Sequence, residues 1–198
     1  MQENITGIIL DRTLRGESGV LFRIFSAESG LAVLHKRVSQ KKTAQLPDLF
    51  DVISAEAERS KTGGVLFLKD FERIASHARI AENYEAFECA AQIAKCALKN
   101  CVYLESFEKM HETLLAAFGA IAAGAAPVCV RLKFLYVFAR GEGYPVKEDF
   151  AANLSAAEFE ILKKILKTPA AELGEVGGAG ALLENMEKWI GANTDIEV

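Results

Sequence analysis

"SGVLFRIFSAESGLAVLHKRV", Ser18 to Val38, is two β-rich runs hinged on a turn. The first, "SGVLFRIFS", mixes β-branched and aromatic residues, a composition that suits a pleated, half-buried surface. Glu28-Ser29-Gly30 breaks it, and "LAVLHKRV" starts directly after the break. The same pattern continues on both sides. Upstream, "NITGIILD" (4–11) is a β-rich run that contains Gly7. Downstream, "LFDVISAEAE" (49–58) alternates, with Phe50, Val52 and Ser54 expected on one side and Leu49, Asp51 and Ile53 on the other. "SKTGG" (60–64) reads as a turn and "VLFLKDFERIA" (65–75) as a last strand. Five short strands at this spacing predict a small barrel, because closure removes the exposed edges of a flat sheet.

The hydrophobic period changes near residue 78. Ile80, Tyr84, Phe87, Ala91, Ala94 and Leu98 recur at intervals of three and four, which predicts a helix with these residues on its apolar face. A second helix is expected from about Leu104, with Phe107, Leu114, Leu115, Phe118 and Ile121 inward. A third begins near Pro127, a residue suited to a first helical turn, and stops at Gly141-Glu142-Gly143. "SAAE" (155–158) reads as a capping box opening a helix that carries Phe159, Leu162 and Ile165 or Leu166. After the break "GEVGGAG" (174–180), a last helix holds Leu182, Leu183, Met186, Trp189 and Ile190. The expectation is an α+β chain of two domains, a β-barrel over 1–77 and an all-α domain over 78–198.

The bulk properties exclude several classes. A hydrophobic content of 51% with 25% charged residues, and few prolines, is that of a globular protein. The N-terminus lacks the basic and apolar regions of a signal peptide, so a cytoplasmic protein is expected. The longest uncharged run, "TLLAAFGAIAAGAAPVCV" (113–130), holds Gly119, Gly124 and Pro127 and reads as two helix ends around a turn, so no membrane partner is expected. Cys89, Cys96, Cys101 and Cys129 form no CxxC pair and read as reduced core residues, so neither a metal nor any other cofactor is expected. His35, His77 and His111 are too scattered for a triad, Glu56 and Glu58 read as a solvated strand face, and "GGAG" (177–180) lacks the Lys-Ser/Thr ending of a phosphate loop. No enzymatic activity is expected.

Charge is uneven. Residues 1–80 carry 12 Lys and Arg against 10 Asp and Glu, a net +2, and residues 81–198 carry 11 against 17, a net −6. The basic surface therefore belongs to the N-terminal part, where "HKRVSQKKT" (35–43) has Lys36, Arg37, Lys41 and Lys42 and no acid. Such a stretch is either a solvated loop or a track for phosphates. Phe22, Phe25, Phe50 and Phe67 could stack on bases, but in a barrel this small they are expected in the core.

The order "ITGIIL", "GES", "IFSAESG", a basic segment, "LPDLFDVISAEAE" and "LKDFERIA" running into a helix resembles the RecO family of bacterial recombination-repair mediators. "RLKFLYVFARGEGY" (131–144) is similar to that family's "RFELRLLxxLGY" stretch. The resemblance implies an N-terminal five-stranded OB-fold barrel followed by a helical domain. It implies a protein that binds single- and double-stranded DNA, anneals complementary strands and helps load RecA together with RecR. It also implies a nucleoid-associated place in a bacterial cytoplasm. In many members a four-cysteine zinc knuckle follows the "GY" element, whereas "PVKEDFAANLSAAE" (145–158) has no cysteine, and the chain is short for the family.

By this resemblance "HKRVSQKKT" occupies the family's basic segment, and Lys36, Arg37, Lys41 and Lys42 become DNA-binding candidates. Arg12 and Arg15 in the first turn and Arg23 on the second strand extend the surface if they point outward. The family's helical domain binds the acidic, hydrophobic C-terminal tail of single-strand-binding protein, which makes Arg131, Lys133 and Arg140 partner-binding candidates. The alternative is an interaction module of the same fold without DNA binding.

Overall fold

The computed structural model describes residues 2–38, 45–60 and 63–198. It is an α+β protein, a five-stranded N-terminal sheet followed by helices. The chain divides into two compact units, Met1–Ala78 and Arg79–Val198.

The strands are β1 (Gln2–Arg15), β2 (Gly19–Ser26), β3 (Gly30–Arg37), β4 (Val52–Arg59) and β5 (Leu66–Ala75). They pair in the order β1-β2-β3-β5-β4, and β4 returns to β1, so the pairing closes on itself. β3 and β5 run parallel and all other pairs antiparallel. β1 is longer than its apolar run because it serves two partners. Gln2 to Ile8 pair with β4 and Ile8 to Arg15 with β2, with a register shift between Ile9 and Asp11 that bends the strand from one partner to the next. Val20, Phe22 and Ile24 of β2, Leu34 of β3 and Ile53 and Ala55 of β4 fill the interior. Burying each of the larger side chains contributes about 1.5–3 kcal/mol.

One expectation for β4 needs correction. Leu49 and Phe50 belong to a turn, not to the strand, and Phe50 has a φ of 68°. The interior face is Ile53, Ala55 and Ala57, while Glu56 and Glu58 are exposed, as their reading as a solvated strand face expects. The turn is held by Asp51, which is fully buried. One of its carboxylate oxygens accepts from the Asp48 amide at 3.1 Å and from Arg73 Nε at 2.7 Å. Its peptide also bonds β1, with Ile9 N donating to Asp51 O at 2.9 Å.

Gly7 marks a close approach of two backbones. A Cβ at this position would stand 2.4 Å from the Phe25 carbonyl oxygen and 2.8 Å from Ile24 Cγ2. Gly7→Ala is therefore expected to destabilise the sheet by about 2–3 kcal/mol, read as a lower urea midpoint with an unchanged slope.

The helical unit comprises α1 (Tyr84–Asn100), α2 (Phe107–Ala122), α3 (Pro127–Gly141), α4 (Ala156–Lys167) and α5 (Ala179–Asn193). A 3-10 turn, Ala78–Glu82, precedes α1, whose start is fixed by Asn83 Oδ1 accepting from Ala86 N at 3.0 Å. α3 is the central helix and packs on the other four, which is why its buried residues, Leu132, Phe134, Leu135 and Phe138 among them, lie nearly all round it. Among the described residues no helix is long and apolar enough to cross a membrane.

The expected apolar face of α1 is only partly right. Ile80, in the turn before the helix, and Ala94 are buried as expected, but Tyr84 is 78% and Phe87 37% exposed, and the buried stripe is centred on Ala86, Cys89, Ala90, Ile93, Cys96 and Ala97. α1 packs on α2 and α3. Small residues let their backbones come close, and Cys89 Sγ donates to Pro127 O at 3.0 Å. Burial pushes the Cys89 and Cys96 thiols up to about 12, so both stay protonated.

Ser155 and Glu158 form the expected capping box: Ser155 Oγ accepts from Glu158 N at 3.3 Å, and Glu158 Oε2 accepts from Ser155 N at 2.9 Å. These bonds favour the carboxylate and hold the Glu158 pKa below its ordinary value. A depressed carboxylate contributes stability above its unfolded pKa and loses it as the pH falls through the folded value. Glu158→Gln is expected to flatten this acid-side loss, measured as the shift in urea midpoint between neutral and acidic pH.

Candidate nucleic-acid interface

Residues directly opposite in a sheet share a face, so register sorts the basic candidates. Arg15, Gly19 and Arg37 stand in one row across β1, β2 and β3. Thr13, Leu21, His35 and Phe67 form the next row, which continues onto β5. Val20, Phe22 and Leu34 point inward, so both rows belong to the outer face. The turn between β1 and β2 is tied to this corner by Val38 N donating to Ser18 O at 2.8 Å.

Arg15 and Arg37 are exposed at this corner, and neither has an acidic partner among the described residues. Lys36 stands opposite Val20, in phase with the interior, but it lies at the end of β3, where its Nζ reaches round to donate to Lys69 O at 2.6 Å. That bond leaves two ammonium donors over. Lys69 is paired with Glu58. Phe67, expected in the core, is on the outer face. Arg37 Cζ lies 5.7 Å from its ring centroid, and the His35 ring is 6.2 Å away at 57°. His35, Lys36, Arg37, Phe67, Leu68 and Lys69 line an open groove of about 380 Å³. The signal in the sequence was phase: Leu66 and Leu68 alternate with Phe67 and Lys69.

Two other candidates do not add free charge to this face. Arg23 faces outward, but its guanidinium is paired with Asp11 at 2.8 Å. Arg12 stands opposite Phe22, in phase with the interior, and its guanidinium reaches Asp48 at 3.4 Å. Both were read from the sequence as extensions of one basic surface, and their carboxylate partners oppose that role. Lys41 and Lys42 lie outside the described residues.

In the helical unit Arg131, Lys133 and Arg140 do not converge. Arg131 is charge-paired with Glu187 of α5, both side chains mostly buried, although no aligned hydrogen bond satisfies Glu187 Oε1. Lys133 Nζ donates to the Leu166 and Thr168 carbonyls at 3.2 and 2.5 Å and so caps the C-terminal end of α4. Burial lowers its pKa from the ordinary lysine value. Arg140 is exposed in the last turn of α3. The stem of Lys133 also borders an apolar groove of about 220 Å³, walled by Ala116 and Ala117 of α2 and by Val130, Phe134 and Val137 of α3. Among the described residues no group of three or more His, Cys, Asp or Glu could hold a metal ion. The chain matches no protein-family model, and no curated protein matches it.

Proposed function

We propose that the sheet is an OB-fold barrel and that the protein is a non-enzymatic DNA repair and recombination mediator of the RecO kind. The strand order β1-β2-β3-β5-β4, its closure and the parallel β3–β5 pair support the fold. One observation carries the function: Arg15 and Arg37 share the outer face with Phe67, and Lys36, opposite Val20 at the end of β3, reaches the rim of the same groove, with no carboxylate paired to these three cations among the described residues. Fixed cations displace condensed counterions from a phosphate backbone, which favours binding with little sequence preference. The apolar α2–α3 groove beside Lys133 suits the hydrophobic end of the tail of single-strand-binding protein, and RecR is the second protein partner in this reading.

The test is a titration of labelled single-stranded and duplex DNA at low and moderate salt, with an annealing assay on complementary strands. Three phosphate contacts weaken single-strand binding about 20-fold between about 50 and 200 mM salt, and five weaken it about 100-fold. Absence of binding, with a protein partner still captured in the α2–α3 groove, would favour the interaction-module reading.

A further inference from the structure

We propose that the groove beside Phe67 seats one unpaired nucleobase, stacked on the Phe67 ring and flanked by Arg37, so that this one aromatic residue sets a preference for single strands over duplex. The inference rests on the nucleic-acid reading above and adds a ligand and a selectivity to it. Three planar groups meet there: the Phe67 ring, the Arg37 guanidinium 5.7 Å from its centroid and the His35 imidazole at 6.2 Å. They line an open groove of about 380 Å³ whose rim carries Lys36 and Lys69. Register fixes this meeting, because Phe67 is the in-register partner of His35 across the parallel β3–β5 pair.

The chemistry selects the occupant. Every base offers a π face to an aromatic ring, so stacking tolerates any sequence. A base inside a duplex already has both faces covered and cannot reach a side chain on a sheet. Lys36, Arg37 and Arg15 hold phosphates of either form, whereas Phe67 rewards only the form with a free base. Arg37 serves both functions, lying against the ring while its outer N–H groups stay available for a phosphate.

The experiment compares a 12-nucleotide single strand (about one OB-fold footprint) with its duplex, bound to the wild type and to Phe67→Ala, Phe67→Leu and Phe67→Trp. Phe67→Ala and Phe67→Leu are each expected to weaken single-strand binding about 10-fold or more while duplex affinity stays within about twofold. The salt slope should not change, because no phosphate contact is removed. Phe67→Trp should bind single strands at least as well as the wild type. Phe67→Leu keeps apolar bulk at the position, so its loss cannot be put down to a collapsed strand, and thermal melts check that each variant is folded. Equal losses on single strands and duplex, or wild-type binding by Phe67→Leu, would overturn the inference and leave the nucleic-acid reading standing. A wild type that binds neither form would sink both.

Discussion

Changing Arg15, Lys36 and Arg37 together to Ala is expected to lower affinity for single-stranded DNA about 100-fold at low salt and to reduce the magnitude of the salt slope by about 2. Each cation that neutralises a phosphate on a single strand contributes about 0.7 to that slope, so three account for the change. The three residues sit on or beside one corner, Arg15 and Arg37 in the same row of the sheet and Lys36 adjacent to Arg37. A double variant, Arg12→Ala with Arg23→Ala, is the internal comparison. It removes the same kind of charge from the same unit, but from side chains already paired with Asp48 and Asp11. Its affinity is expected to stay within about threefold of the wild type, since charges paired in this way have little to give to a phosphate. Equal losses from the two variants would mean that net charge alone governs binding and that the corner has no special place in it.

The second large effect concerns stability. Arg131→Ala is expected to destabilise the helical unit by about 2–3 kcal/mol, because it leaves Glu187 mostly buried without its counter-charge. The side chains are 17% and 26% exposed, which places the loss below that of a fully buried pair. Replacing both partners with apolar residues, Arg131→Met and Glu187→Leu, should recover most of the loss, since no isolated charge remains. Urea unfolding followed by helical circular dichroism reads both. A fully stable Arg131→Ala that fails to capture the tail of single-strand-binding protein would instead return Arg131 to the role of a partner-binding residue.

These two predictions mark where the sequence is legible and where it is not. The period-2 runs and their turns are visible because strand faces and turn residues are local properties. The same is true of the helix starts at Pro127 and Ser155, where a ring-fixed φ and a side-chain cap act on their own first turn. The phase of α1 is not local. Its larger apolar residues suggest one face, but close packing on α2 and α3 selects the neighbouring stripe of Ala and Cys. Free charge is even less local. Arg12 meets a carboxylate 36 residues away and Arg23 one 12 residues away, so a count of cations along the chain overstates the phosphate-binding surface. Lys133 finds its partners on α4, 33 and 35 positions on, and becomes a helix cap. Phe67 errs in the other direction: its aromatic ring reads as core, although its phase with Lys69 against Leu66 and Leu68 already sets it on the outer face.

The outer corner of the sheet is the centre of the functional proposal, and amide chemical shifts locate a ligand there or elsewhere. A nitrogen-15-labelled sample would be titrated with a 12-nucleotide single strand, about one OB-fold footprint. The predicted result is a saturable set of shifts at Arg15 to Gly19, His35 to Val38 and Phe67 to Lys69, with the helical unit quiet. Shifts confined to the helices, or none that saturate, would contradict a nucleic-acid interface on this sheet.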